Sequence, residues 1–195
     1  MVSISVAPES DYRTLAEEDF IAIYSGLIGY LIKQYGISVS EEDTVDEENY
    51  KGSYDTQVII VKGSLSTQHK LFLVAHLFGH CVQWCTEKVD CAYIEELMLE
   101  YLPSELQEAD IVKLKTYEEA AAQYAVQVLA EASSCHLDQW FSDWSHADWN
   151  YFMALNDADI LPKGPESWLI YGSPLIPARA IPIFERIQIK RKYAY

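Results

Sequence analysis

The chain has 195 residues, half of them hydrophobic, and a formal net charge of −16. This length suffices for one sizeable core and is short for two, so we expect one main domain. The negative charge argues against direct binding to nucleic acid, whose phosphates most of this surface would repel. The longest nearly uncharged stretch, residues 20–32, is shorter than the roughly 20 residues that a membrane span needs, so no membrane insertion is expected.

Two features bear on where the protein resides. Residues 1–13 lack a basic start followed by an apolar run, so no secretory signal is predicted. The four cysteines are then most simply free thiols of a cytoplasmic protein. Cys81 and Cys85 lie at helical spacing, which suits either soft-metal ligation or two small buried core residues, and we favour the core interpretation.

The first half of the chain carries one helix signal and one strand signal. Thr14 and Glu17 match a capping box, which predicts a helix over residues 15–35 that ends at Gly36. The acidic run at 41–48 is typical of a solvated loop. Residues 57–62 form a β-branched run that predicts a strand.

The second half is predicted to be mainly helical. Ser66 or Thr67 can cap a helix over residues 68–86, whose apolar run is broken only by His76 between Leu71 and Gly79. Such a helix must be buried. Further helices are predicted over residues 93–101 and 117–132, and residues 136–155 predict one or two aromatic-rich helices.

The last part of the chain differs in charge from the rest. Residues 1–161 carry a net charge of −20, whereas residues 162–195 carry +4. We therefore expect a domain over 1–161 and a basic C-terminal segment over 162–195 that packs on it and covers the cleft above His76. This segment should be extended, because it holds five of the seven prolines: Pro162, Pro165, Pro174, Pro177 and Pro182.

The sequence AHLFGH, residues 75–80, places two histidines on one face of the buried helix. His76 and His80 are four residues apart, so their imidazoles lie about 6 Å apart along the helix axis and can hold one metal ion. In the zinc-hydrolase motif H-E-x-x-H, the second position is a glutamate that acts as general base. Here that position is Leu77.

A two-histidine site normally needs a third protein ligand, and Glu118 is the best candidate. Glu119 follows Thr116 by three residues and fits a capping box at a helix start, which leaves Glu118 without a structural role. Glu118 shares a helical face with Ala121 and Ala125, which would pack closely on another helix. The alternative is that Glu118 is a first-turn acidic residue favoured by the helix dipole.

Together these segments resemble the ImmA/IrrE family of zinc metallopeptidase-like proteins. His76 and His80 fit the A-H-E-x-x-H helix of that family, and Gly79 fits its usual small residue. Downstream, Glu118 and Tyr124 fit the second helix pattern, E-x-x-A-x-x-[F/Y]-A, together with Ala121 and Ala125. The resemblance covers roughly residues 57–130.

The resemblance implies a fold and a metal site. It implies an α+β, mostly helical fold: a zincin-like metallopeptidase core with a small sheet, followed here by a helical C-terminal part and an extended Pro-rich tail. It also implies zinc at His76, His80 and Glu118. Leu77 replaces the family's catalytic base but not a ligand, so it need not abolish zinc binding. Loss of a positioned base typically costs about 10²- to 10⁴-fold in rate, so ordinary peptide hydrolysis should be lost.

Other residues of the sequence could serve as a substitute base or as a substrate ligand. His69 lies roughly 10 Å from His76 along the helix axis, too far to share the ion. Tyr117 could donate a hydrogen bond to a substrate carbonyl, whereas Tyr124 fits a packing position. Asp148, in an H-x-D triplet with His146, is a candidate base, but the sequence does not place it in space.

The sequence is compatible with three functions. The first is a metal-binding, catalytically impaired metallopeptidase-like protein, a pseudoenzyme with a regulatory role or a protein or peptide partner. The second is an active metal-dependent hydrolase that uses a non-standard base. The third is a metal-free interaction protein in which His76 and His80 are relics.

Overall fold

The structure is a computed structural model that describes residues 12–43, 50–87, 91–94, 97, 105–154 and 164–194. The fold is α+β and mostly helical with a small sheet, as predicted. Its longer elements are the helices α1 (Glu17–Tyr35), α2 (Thr67–Thr86), α3 (Glu108–Ala132) and α4 (Asp138–Ala154), and the strands β1 (Ser38–Glu42), β2 (Gly52–Tyr54), β3 (Val58–Lys62) and β4 (Lys192–Ala194).

Helix α1 ends where the sequence predicts but begins differently. The predicted capping box of Thr14 and Glu17 is wrong, because Thr14 lies in a short 3-10 turn before the helix. The cap is Ala16, whose backbone N–H donates to the Asp19 carboxylate at 2.8 Å. Gly36 ends the helix in the left-handed region, at φ 64°, where glycine carries no side-chain penalty.

Helix α2 is the central element of the core. Its predicted cap is confirmed, since the Ser66 hydroxyl accepts a hydrogen bond from the His69 backbone N–H at 3.2 Å. The helix contacts α1, α3, α4 and the sheet, and most of its residues are buried. This burial on all sides explains why the sequence of α2 is apolar around its whole circumference.

Helix α3 begins nine residues before the predicted start at Tyr117. Thr116 and Glu119 therefore do not form a capping box, and the Thr116 hydroxyl instead donates to the Val112 carbonyl one turn earlier, at 2.8 Å. Glu118 lies in the middle of a 25-residue helix. The helix dipole acts on the terminal turns, so it does not account for Glu118.

The sheet has the strand order β1-β3-β2-β4. Strand β3 was predicted, and it pairs parallel with β1 and antiparallel with β2. The prediction of a loop at 41–48 is wrong for Glu41 and Glu42, which belong to β1, while residues 44–49 lie outside the described part of the chain. Strand β4 comes from the basic C-terminal segment and pairs antiparallel with β2.

The aromatic-rich region forms a single helix, α4, and the predicted helix over 93–101 lies mostly outside the described residues. Within that stretch and just before it, residues 91–94 and 97 are helical.

Among the helices that the structure describes, none is both long enough and apolar enough to cross a lipid bilayer.

After a 3-10 turn at Pro165–Trp168, residues 169–191 run without regular secondary structure along the rest of the molecule. Phe184 stacks on the Tyr35 ring with centroids 5.7 Å apart, and the Arg186 guanidinium donates to the Gly36 carbonyl at 2.7 Å. In contrast, Ile170 and Ile183 are exposed. The segment therefore contacts α1 through single side chains. Its backbone also bonds to α3 and α4, since the Arg179 N–H donates to the Gln123 carbonyl and the Ser173 N–H to the Asp143 carboxylate.

Candidate metal centre

A close contact between α2 and α3 positions the candidate site. A Cβ atom added to Gly79 would lie 2.1 Å from the Ala121 carbonyl oxygen, so no larger residue fits while the two helices keep this distance. Gly79 precedes His80 on α2, and Ala121 lies one turn after Glu118 on α3. The small residues therefore bring the histidine pair and the carboxylate within contact distance.

His76, His80 and Glu118 meet at a single point between the two helices. The Nε2 atoms of the two histidines lie 3.1 Å apart. Glu118 Oε2 lies 3.0 Å from Nε2 of His76 and 3.4 Å from Nε2 of His80. Among the described residues, these three form a group of ligand-type atoms that could hold a metal ion.

These distances suit a tetrahedral ion. Ligand atoms about 2.0–2.1 Å from zinc in tetrahedral geometry are about 3.3 Å from one another. The three measured separations, 3.0, 3.1 and 3.4 Å, bracket that value. Two nitrogens and one carboxylate oxygen form a ligand set that zinc accepts, with a fourth position left for another group.

Gln83 orients His80 for this role. The Nδ1 atom of His80 lies 2.9 Å from the Gln83 side-chain oxygen, and the Gln83 amide donates to the Tyr117 carbonyl at 2.8 Å. The Gln83 amide nitrogen already donates to Tyr117, so the Gln83 atom that faces His80 is the amide oxygen, which can only accept a hydrogen bond. Nδ1 of His80 must therefore carry the proton. In the neutral form of the imidazole, Nε2 of His80 then carries the lone pair and faces the cluster, the form that binds a metal.

Aromatic rings hold both imidazoles in place. His80 lies between the rings of Tyr54 and Tyr117, with centroid distances of 5.8 and 4.8 Å. His76 stacks on Phe72 at 5.5 Å. The Nδ1 atom of His76 is buried and has no hydrogen-bond partner among the described residues. The cluster is thus rigid on the His80 side and less completely bonded on the His76 side.

The cluster shifts the pKa values of His76 and Glu118. Burial disfavours the charged form of His76, but the hydrogen bond and charge of Glu118 outweigh it and raise the pKa of His76. Burial likewise opposes ionisation of Glu118, yet the charge of His80 and the hydrogen bonds of both histidines hold the pKa of Glu118 well below its usual range. Glu118 is therefore an anion in a buried site, which a cation would neutralise.

Leu77 stands where the H-E-x-x-H motif has a glutamate, and its side chain is apolar. It is 1% exposed and packs against β2, since a Cβ on Gly52 would lie 3.0 Å from a Leu77 methyl group. No proton acceptor therefore comes from this position of α2. Leu77 instead forms part of the wall between the helix and the strand.

The three candidate ligands face a cavity of about 580 Å³. Besides the ligands and Leu77, its wall includes residues of α4 and of the C-terminal segment, among them Asp148, His146, Trp149, Leu175, Lys190 and Arg191. Burial raises the pKa of Asp148 to about 6, since the nearby charge of His76 compensates it only in part. Besides Glu118, the cavity wall thus holds two carboxyl groups outside the three-residue cluster, Asp148 and the exposed Glu119.

The other candidate residues from the sequence lie outside the three-residue cluster. His69 is buried and its Nδ1 lies 2.7 Å from the Glu166 carboxylate, so it is not part of the cluster. Tyr124 is buried outside the cavity wall, and Tyr117 lies in the wall. Neither Cys81 nor Cys85 belongs to the cluster. Cys81 is fully buried, as the core interpretation predicts, whereas Cys85 is only half-buried.

Sequence reasoning missed the Gln83 contact, although its signal was present. Gln83 follows His80 by three residues, so the two side chains share a helix face. The position of Asp148 at the same cavity had no such signal, because it depends on how α4 packs.

Comparisons with known proteins do not add an assignment. The sequence matches no protein-family model. No curated protein and no solved structure matches it either. The candidate metal centre is therefore defined by the geometry of this chain alone.

Proposed function

We propose that this protein is a metal-binding, metallopeptidase-like protein that holds zinc at His76, His80 and Glu118 and acts by binding a protein or peptide partner. The observation that carries the proposal is the convergence of the three ligand atoms at 3.0–3.4 Å, on two helices that a glycine contact holds together. The resemblance of both helices to the ImmA/IrrE pattern supports a zincin-like origin for this arrangement. A regulatory role is inferred by analogy with that family.

The proposal of impaired catalysis rests on Leu77. A buried aliphatic side chain cannot accept a proton and does not bind water. The Leu77 side chain packs against β2 instead. The loss of a positioned general base typically lowers the rate by about 10²- to 10⁴-fold. Binding to a partner requires no such group.

Metal content tests the proposal directly. Untagged protein is dialysed with zinc and analysed by elemental mass spectrometry. We expect about one zinc per chain, lost in His76→Ala and Glu118→Ala and retained in His136→Ala, which removes an exposed histidine elsewhere. If no variant and no wild-type sample retains zinc, the protein is a metal-free interaction protein with relic histidines.

A gain-of-function variant tests the role of Leu77. Leu77→Glu introduces the residue type that the hydrolase motif has at this position. We expect peptidase activity on an unfolded protein substrate to appear in Leu77→Glu and to be absent in Leu77→Gln and in the wild type. Activity in the wild type that disappears in His76→Ala would contradict the pseudoenzyme proposal.

The position of Asp148 favours a second candidate function, a metal-dependent hydrolase with a non-standard base. Asp148 lines the same cavity as the three ligands, and it is the carboxyl group that α4 contributes there. This candidate predicts wild-type hydrolysis that Asp148→Asn abolishes while zinc content stays unchanged. Wild-type protein without hydrolytic activity at any pH would exclude it.

A cytoplasmic location is part of the proposal. All four cysteines are free, which fits a reducing compartment.

A further inference from the structure

Strand β4 occupies the edge of β2 beside the candidate metal centre. The register pairs Lys192 with Tyr54 and Ala194 with Gly52, in antiparallel orientation. Tyr54 stacks on His80, and Lys190, Arg191 and Lys192 line the cavity that the metal ligands face. An extended peptide segment, supplied by the chain itself, therefore lies along the site.

Outside the β2 pairing, single side chains hold this segment, among them Arg186, which donates to the Gly36 carbonyl, and Ile189, which packs against the core. Beyond the β2 pairing, the Ile187 carbonyl accepts from the Thr56 hydroxyl, and Arg191 lies 3.5 Å from the Asp55 carboxylate. Lys192 lies over the Trp84 ring at 4.7 Å. Lys190 and Arg191 are exposed. Strand additions of this kind draw their affinity from backbone hydrogen bonds and can be exchanged for another extended peptide.

The turn before β3 is shaped to receive the segment. Thr56 is fully buried and adopts φ 68°, in the left-handed region that β-branched residues avoid. Strain of this kind persists where the surroundings enforce it, and it is concentrated at ligand-contacting positions. Here the strained residue is the one whose side chain holds the Ile187 carbonyl.

Charge matches the same interpretation. The segment contributes basic side chains to a chain whose residues 1–161 carry a net charge of −20. Asp55 at the β2–β3 turn lies 3.5 Å from the Arg191 guanidinium, so an acidic side chain already pairs with a basic residue of this segment. A peptide partner that uses this position would need lysine or arginine at the corresponding place.

We propose that the edge of β2 is a peptide-docking groove, that residues 186–194 occupy it in cis, and that the partner is an extended, lysine- and arginine-bearing segment that replaces them by antiparallel pairing with β2. This inference rests on the partner-binding role proposed above and names the chemistry of that partner. Access of the partner to the metal centre then depends on release of β4.

The test uses the full-length chain and a labelled peptide with the sequence of residues 186–195. A double variant, Lys192→Pro with Tyr193→Pro, removes two backbone N–H groups and weakens β4 whichever residue donates to β2. We expect the variant to bind the peptide at least tenfold more tightly than the wild type, because the cis segment no longer competes at high effective concentration. A matched control, Glu185→Pro, changes an exposed residue outside the strand and should bind like the wild type.

Two controls address specificity. A peptide of scrambled sequence has the same charge and should bind at least tenfold more weakly to the double variant. Adding Thr56→Gly to the double variant removes one hydrogen bond and should weaken binding of the correct peptide roughly fivefold. Equal binding of both peptides, or no binding by a double variant that unfolds at the wild-type temperature, overturns the proposal.

Hydrogen exchange on the wild-type chain gives an independent answer, even if the double variant does not fold. Backbone amides of β4 should exchange at least 100-fold faster than those of β3, because a replaceable strand must open without global unfolding. Equal protection of β4 and β3 would overturn the proposal.

Zinc uptake is measured on the same samples. A chain that takes up zinc but binds no peptide overturns the groove alone, and a chain that binds peptide but no zinc overturns the metal centre alone.

Discussion

The helix pair α2–α3 and the C-terminal segment 164–194 face the same cavity but are held by different means. The helices meet through a backbone contact at Gly79 and bury apolar side chains along their length. The segment is held by a three-residue strand, by hydrogen bonds to α3 and α4, by partly exposed ion pairs, and by half-buried apolar side chains such as Ile176 and Phe184. The geometry of the candidate ligands is thus a property of the core, whereas access to them is a property of the segment.

The largest expected effect comes from separating the helices. Gly79→Ala places a Cβ 2.1 Å from the Ala121 carbonyl oxygen, so α2 and α3 must move apart. We expect a loss of about 3 kcal/mol in the free energy of unfolding, at the upper end of the range for overpacked cores, and loss of zinc binding. Chemical denaturation and zinc titration measure both.

Gly29 provides the matched control for this variant. It is an exposed helical glycine with no atom within 4 Å of an added Cβ. Gly29→Ala should stabilise the protein by about 0.5–1 kcal/mol, since alanine loses less conformational entropy in a helix. A destabilised Gly29→Ala would show that helix packing in this fold is less specific than the Gly79 contact implies.

Gln83 belongs to the helix pair and forms a hydrogen bond with one candidate ligand, His80. Gln83→Leu removes the acceptor for the Nδ1 proton of His80, so the imidazole can adopt the wrong tautomer. We expect zinc affinity to fall by about 10- to 100-fold. Nitrogen chemical shifts of the His80 ring would report the tautomer, and an unchanged tautomer in Gln83→Leu would exclude the orienting role.

Where the two regions meet, Asp148 gives a pH-dependent effect in metal-free protein. Its folded pKa of about 6 lies above the ordinary value, so the folded state binds this proton more tightly than the unfolded chain does. Stability is therefore lost as the pH rises from about 4 through 6. Asp148→Asn should be more stable than the wild type by about 1–2 kcal/mol above pH 7, and the gain should vanish below pH 4.

Glu119 is a suitable control for that experiment. It lines the same cavity but is exposed. Thermal unfolding of Glu119→Gln between pH 4 and 8 should follow the wild type. If Asp148→Asn is more stable than the wild type by the same amount at every pH, burial does not raise the pKa of this carboxyl group.

The smallest effect is expected in the C-terminal segment. Arg191→Ala removes an ion pair of 3.5 Å whose partners are 38% and 25% exposed. Such pairs contribute about 0.2–1 kcal/mol, so global unfolding should change by less than about 0.5 kcal/mol. Hydrogen exchange of β4 should nevertheless accelerate. A change in global stability as large as that of Gly79→Ala would abolish the distinction between the two regions.

Local signals in the sequence predicted several elements correctly. Ser66 and Gly36 act through their own backbone neighbourhoods, so the start of α2 and the end of α1 could be predicted. The start of α3 could not, because the Thr116–Glu119 pattern of a capping box also occurs inside a helix, where the Thr116 hydroxyl bonds to the preceding turn.

The sheet was harder to predict than the candidate site. Strands β2 and β4 have three residues each and are defined by their pairing across the chain, which no local pattern shows. In contrast, His76 and His80 follow helical spacing, and Glu118 stands out in the pattern of a second helix, so the three residues could be proposed from the sequence. Asp148 could not be placed, because its position depends on how α4 packs against the core.

The contact between Gly79 and Ala121 separates the geometry of the candidate site from its use. It constrains the spacing of α2 and α3 whether or not the cavity performs chemistry, since the packing cost of a side chain at position 79 falls on folding. Folding alone is therefore enough to keep the three candidate ligand atoms together, with or without a metal ion.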